Sequence, residues 1–460
     1  MEKNKLYSVS LFTLIVIAGV FLLSLVPAFK LSDFESKKVD IFGDIRPDDS
    51  DSIQEPEIID TMSIKLSNLA DTCKEGMVCI EDYTVEHNAL NNFYDALLQN
   101  NRPVRIAYFG DSFIEGDILT SSLRELFQSK YGGNGVGFVP INTITSGFRT
   151  TVKTSAHGWH EYCVTDSACV RSKQGISGHY FIPNSGANAS FVCRINGGKQ
   201  NDTCSIASFY FITEGNLKFT TTVNKTINQK HSIEGSSEIQ KISVEGEIEN
   251  IKITIDNPGK NTRFFGVSMD NGKVGVELDN FSLRGSSGTN LKGITEQTLS
   301  DFNKLRNYDL VVLQYGLNVA AKSNVKYDYY KKGMVEVISH LRKNFPETNF
   351  LLVSVGDRAT KTNGKMTTMQ GVKSLSVTQK LIAAECDIAF WNLLDAMALD
   401  GGIVGYVTSK PSKANQDYTH INFRGGEQIA KHLFDAIEHG KEKYAEKKKY
   451  DIIMSRLNIK

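Results

Sequence analysis

The chain lacks an excess of either charge: its 460 residues carry 52 Lys plus Arg against 52 Asp plus Glu. That balance offers no basic surplus for nucleic acid, which is not expected as a partner. No cysteine precedes Cys73, which argues against lipid attachment at an amino-terminal thiol. The seven cysteines form no Cys-x-x-Cys pair and no histidines follow at zinc-finger spacing, so no metal and no cofactor is expected. A Gly-x-Ser-x-Gly elbow is also absent, which sets aside the common α/β-hydrolase arrangement.

What is present points to export. Lys3 and Lys5 precede the nearly uncharged stretch 6–29, long enough to cross a bilayer with positive charge on the cytoplasmic side. Residues 1–30 are therefore expected to be a transmembrane anchor, a cleaved signal segment being the competing reading. Residues 31–83 are polar and aperiodic, a linker on the exported side. Cys73 with Cys79, Cys163 with Cys169 and Cys193 with Cys204 lie close in sequence, as local disulfides in an oxidising compartment would, leaving Cys386 as a buried thiol.

The chain is organised around residues 104–117, where an apolar strand-like run stops at Gly110 and presents Asp111 and Ser112 before a helical pattern begins. In an α/β protein such a turn lies at the carboxyl edge of a parallel sheet, where sites form. Alternation of helix and strand covers 84–149 and resumes over 281–445, with a tail at 446–460. Between them, residues 150–280 break into short runs rich in Thr, Val, Ile and Phe with Gly and Asn between, which predicts an inserted all-β sandwich, jelly-roll-like. Two further strand ends carry polar groups: Gly316-Leu317-Asn318 after the 310–313 run, and Asp417-Tyr418-Thr419-His420 ahead of a helix near 425. An uncharged amide can donate to a developing oxyanion, and a carboxylate three residues from a histidine can hold its tautomer.

Gly110-Asp111-Ser112, the glycine block that follows, Gly316-x-Asn318 and Asp417-x-x-His420 resemble, in that order, the blocks of the SGNH (GDSL) hydrolase superfamily. The extended first block, Gly-Asp-Ser-Phe-Ile-Glu-Gly-Asp with Gly-Gly-Asn-Gly-Val-Gly-Phe further on, is similar to the peptidoglycan O-acetylesterase branch, which also carries a β-sandwich insertion at this point. The resemblance implies a three-layer, flavodoxin-like core. It assigns Ser112 as nucleophile, His420 as base and Asp417 as the acid that orients it. The oxyanion hole it implies comprises the Ser112 N–H, the Asn318 amide and a block II glycine, Gly288 fitting best and Gly285 also possible. Asp111 and Gly316 are supporting residues. One departure stands out, since Asn318 is followed by Val319 and Ala320 rather than an acid.

The expected function is removal of O-acetyl groups from a cell-envelope glycan such as peptidoglycan, on the exported side of the membrane. The same triad could instead pass the acyl group to a sugar hydroxyl. A third reading makes the protein a non-catalytic glycan binder, with Trp159, Tyr162, Tyr180 and Phe181 as sugar platforms. The sequence carries no mark of an oligomeric state.

Overall fold

The computed structural model describes residues 73–193 and 203–456, together with a short ladder of Lys30–Leu31 against Phe34–Glu35. Residues 1–29 of the expected anchor and most of the linker lie outside the described residues. Among the described residues no helix is long and apolar enough to cross a membrane.

In chain order, β1 (Glu81–Asp82) and α1 (Asn91–Gln99) precede β2 (Pro103–Gly110), α2 (Thr120–Tyr131) and β3 (Gly135–Val139). An all-β stretch follows: β4 (Val152–Cys163), β5 (His179–Cys193), β6 (Cys204–Thr213), β7 (Leu217–Val223), β8 (Ile227–Ile233), β9 (Ser236–Ile248), β10 (Asn250–Asn257) and β11 (Arg263–Asp270). Alternation then resumes with β12 (Gly275–Ser282), α3 (Glu296–Arg306), β13 (Leu310–Gln314), α4 (Asp328–Asn344) and β14 (Asn349–Val353). A hairpin of β15 (Ala359–Thr362) and β16 (Lys365–Thr368) leads to α5 (Gln370–Glu385), β17 (Ala389–Trp391), α6 (Leu393–Ala398), α7 (Gly402–Thr408) and α8 (Phe423–Arg456).

The core sheet runs β12-β2-β13-β14-β17-β1. Its first five strands are parallel, and β1 pairs antiparallel at the edge. Taken in chain order the parallel strands lie 2-1-3-4-5, the flavodoxin-like order. Strands buried on both faces need an uninterrupted apolar run, and Ile106 to Phe109 and Leu310 to Leu313 supply it. Helices α1, α2 and α8 pack together, as do α3, α4 and α5. The apolar stripe of α4, Tyr330, Met334, Val337, Ile338 and Leu341, recurs every three or four residues, as a helix with one covered face requires.

The insertion is all-β and antiparallel, as expected. Its strands and β3 form one continuously hydrogen-bonded nine-stranded sheet, β8-β7-β10-β5-β11-β6-β9, with β4 added to β5 and β3 to β11. A single pair, Phe264 opposite Phe181, joins β11 to β5, so the ladder crosses where two sheets would have parted. The sheet has an apolar core of its own that includes Phe191, Phe209, Phe211, Phe219 and Phe264.

Other boundaries also shift. Glu81 and Asp82, expected in the linker, close the sheet edge against Phe390 and Ala389. Residues 446–456, expected as a tail, continue α8. Of the expected disulfides only Cys73–Cys79 is formed. Cys163 is instead 3.0 Å from the Thr165 hydroxyl and 4.0 Å from His179, and the free thiols of Cys193 and Cys204 are hydrogen-bonded, not bridged.

A buried charge cluster ties the insertion to the core. Arg306 on α3 donates to Asp279 of β12 at 3.0 and 2.8 Å and to Asp270 of β11 at 2.5 Å. Asp279 also accepts the Tyr308 hydroxyl at 2.6 Å and the Phe138 N–H of β3 at 2.8 Å. Removing one partner of such a set leaves the other charges buried and unmatched. Arg306→Met should therefore lower unfolding free energy by about 3–5 kcal/mol in urea titrations; a loss below about 1 kcal/mol would show that these carboxylates do not depend on Arg306.

Candidate active site

Three neighbouring strands end level with one another. Ser282 of β12 and Gln314 of β13 are both register partners of Gly110, and Leu283 N–H donates to the Gly110 carbonyl at 2.9 Å. The chain segments that follow, 111–117, 283–293 and 315–320, are thereby brought to one edge. At Gly110 a β-carbon would lie 2.8 Å from the Ile114 side chain and 3.0 Å from the Gln314 carbonyl. Only glycine lets the turn fold back this closely.

That turn carries Asp111 and Ser112, both buried. The Asp111 carboxylate accepts the Phe113 N–H at 3.0 Å and lies against the N–H groups of Gly316 and Leu317. Burial pushes its carboxyl up to about 6, and these N–H groups pull back against that rise. Asp111 thus joins the first block to the third. Gly316, at φ +141°, makes the turn that brings Asn318 round, and a β-carbon there would meet Val355 at 2.6 Å. The Asn318 amide donates to the Ser286 carbonyl at 2.9 Å and lies 3.4 Å from Asp111. Val319 and Ala320, where an acid was the familiar pattern, close the turn with N–H bonds to the Gly316 carbonyl.

His420 reaches the same edge from a loop 308 residues away, its Nε2 3.1 Å from Ser112 Oγ. Its Nδ1 is 2.7 Å from Asp417 Oδ2. With Nδ1–H donating to the carboxylate, Nε2 is left to accept the serine proton. Asp417 Oδ1 also accepts the N–H groups of Thr419 and His420, each at 3.0 Å, across a turn in which Tyr418 adopts φ +52°. Partial burial raises the Asp417 carboxyl, but the His420 N–H and ring outweigh it and hold it below the usual carboxylate range. A bond from Ala359 N–H to the Tyr418 carbonyl fastens this loop to the start of β15.

The two candidate oxyanion glycines differ. Gly288 is buried behind Tyr315, and its N–H donates to Ser286 Oγ at 3.0 Å, so the preference for Gly288 is corrected. Gly285 is exposed, at φ +77° with open space around it, and among the described hydrogen bonds its N–H has no acceptor. The Ser112 N–H is likewise without one.

Two residues at this edge carried no sequence signal. Ser286 anchors the Asn318 amide through its carbonyl, a backbone role that any residue type could fill. Arg358, after β14, donates to the Leu317 carbonyl at 3.3 Å; its only signal was a polar loop following a strand. The aromatic residues expected as sugar platforms divide. Tyr180 and Phe181 are buried, Tyr162 stacks on Tyr180 at 4.8 Å, and Trp159 donates to the Asn188 carbonyl.

No family model matches the chain, and no curated protein matches it. Among solved structures, one described as a peptidoglycan O-acetylesterase in action aligns at 18% identity and a TM-score of 0.66, covering 79% of this chain and 99% of that one. A family two carbohydrate esterase from Clostridium thermocellum in complex with cellohexaose aligns at 12% identity and a TM-score of 0.26, over 62% and 100% of the two chains. A lipase/acylhydrolase from Enterococcus faecalis aligns at 16% identity and 0.26, over 36% and 77%. The first likeness shows the fold: a parallel α/β core with an inserted antiparallel sheet.

The arrangement offers a serine hydroxyl, a base to take its proton, a carboxylate to orient the base and unpaired donors beside it, the parts of acyl transfer. Gly110→Ala should push Ile114 and the Gln314 carbonyl and displace Ser112. Labelling of Ser112 by a fluorophosphonate should slow by on the order of 100-fold, with an unchanged rate counting against the packing argument.

Proposed function

We propose that the protein is a serine esterase that removes O-acetyl groups from a cell-envelope glycan such as peptidoglycan. The hydrogen-bonded run from Ser112 through His420 to Asp417, at 3.1 and 2.7 Å, carries this reading. The fold shared with a protein described as a peptidoglycan O-acetylesterase supports the substrate class. The Cys73–Cys79 disulfide supports an exported setting.

In this reading Ser112 Oγ attacks the acetyl carbonyl as His420 Nε2 takes its proton. The carbonyl oxygen becomes an anion facing the N–H groups of Ser112 and Gly285 and the Asn318 amide, which exchanges its bond to the Ser286 carbonyl for one to the oxyanion. Collapse expels the sugar oxygen, protonated by His420, and leaves acetyl-Ser112. Water then attacks with His420 again as base, releasing acetate and the free serine.

Ser112→Ala should reduce release of acetate from O-acetylated peptidoglycan, and hydrolysis of p-nitrophenyl acetate, by on the order of 10⁴-fold or more. Retained activity in that variant would remove the acyl-enzyme mechanism. Acetyl transfer to an added glycan outpacing acetate release in the wild type would turn the assignment to a transferase.

A further inference from the structure

The loops beside this edge are not charge-balanced, although the chain as a whole is. Residues 319–327, after the Asn318 turn, and 354–369, spanning the β15–β16 hairpin, carry Lys322, Lys326, Arg358, Lys361 and Lys365. Their one acid is Asp357, which is buried and accepts the Ile403 N–H at 2.8 Å. None of the five cations forms an ion pair with a carboxylate among the described residues, whereas Arg284, on the segment after β12, is paired with Glu115. Segment 409–424 adds three more cations against Asp417, whose carboxylate is held by His420.

Arg358 is the best placed of them. Its Nη1 donates to the carbonyl of Leu317, the residue before Asn318, while its neighbour Ala359 bonds the Tyr418 carbonyl in the loop of Asp417 and His420. It is half-buried between the two loops that supply Asn318 and the base. A guanidinium fixed by one N–H to a carbonyl retains other N–H groups in a planar fork, the shape that matches two carboxylate oxygens. Exposed lysines on the adjoining hairpin extend the positive field outward.

We propose that this edge is an anion subsite: the glycan is selected by a carboxylate carried near the ester, held by Arg358, with Lys361 and Lys365 drawing the acidic polymer in. This rests on the esterase reading for the position of the scissile bond.

The test compares an O-acetylated muropeptide glycan with the same glycan after its carboxylates are amidated. The wild type should show kcat/KM roughly tenfold or more higher on the acidic form at low ionic strength, with the advantage shrinking as salt screens the field. Arg358→Gln should cut the acidic-to-amidated ratio by roughly tenfold. Lys361→Gln combined with Lys365→Gln, both exposed, should weaken its salt dependence even where the arginine variant folds poorly. A wild-type ratio near one, or a ratio untouched by both variants, overturns the subsite. A glycan bearing phosphates in place of carboxylates that binds more tightly overturns the carboxylate assignment. Calorimetry with Ser112→Ala separates the two readings. Preferential binding of the acidic glycan supports the subsite whether or not any ester is cleaved, while hydrolysis without discrimination keeps the esterase and removes the subsite.

Discussion

The hydrogen bonding of β2 to both of its neighbours is the constraint on which the site depends. Because Ser282 and Gln314 both pair with Gly110, three chain segments separated by nearly the whole insertion leave the sheet at one level. A slip of one residue in either ladder would carry Gly285 or Asn318 away from Ser112 and turn each strand's side chains to the opposite face. The continuous apolar burial of β2 and β13 does not itself prevent slippage, since both faces are covered. The polar contacts at the ends do, through Leu283 to Gly110 and Asp111 to the Gly316 turn.

The nine-stranded insertion meets the same constraint from the other side, because it has to return the chain to the strand adjacent to the one it left. Two buried charge clusters serve that return. Arg306 gathers Asp279 of the core and Asp270 of the insertion. Asp117, just past the nucleophile turn, is bonded by Arg124 of α2 and by Arg149 and Thr151 at the entry to the insertion. Burial raises the Asp117 carboxyl, but the two guanidinium groups outweigh it and hold it well below the ordinary carboxylate range. Ionised carboxylates at both ends of the insertion require their arginines, so the relative placement is discriminating in a way that apolar contact alone is not.

The side chains of the candidate site were legible because each announces itself locally: a strand ending in Gly-Asp-Ser, a Gly-x-Asn after an apolar run, an Asp three residues before a His. What depends on backbone hydrogen bonding was not. Gly285 and Gly288 both have positive φ and look alike in sequence, and what separates them is burial behind Tyr315 and the bond from Gly288 to Ser286. The single Phe181–Phe264 pairing that links the strands of the insertion into one ladder has no compositional sign. Cysteine spacing suggested three bridges where one is formed; for Cys163, proximity in sequence says nothing of the Thr165 hydroxyl and the His179 imidazole beside it. The edge strand at Glu81–Asp82 is two residues long, too short for periodicity to register.

The two aspartates of the site differ in a way that suits Asp417, and not Asp111, to the acid's part in the proposed triad. Asp111 is adjacent to the nucleophile, yet it is buried, its carboxyl is pushed up to about 6, and its oxygens face amide N–H groups. A carboxylate so engaged holds a turn in shape and has no oxygen turned to an imidazole. Asp417 is partly open to solvent, and its two oxygens divide the work: Oδ1 takes backbone N–H groups that set the loop, while Oδ2 faces His420 Nδ1. Solvent and those donors keep it ionised, which in the proposed mechanism lets it stabilise a His420 imidazolium without accepting the serine proton itself. Environment, more than nearness in sequence, separates the scaffold acid from the acid of the relay.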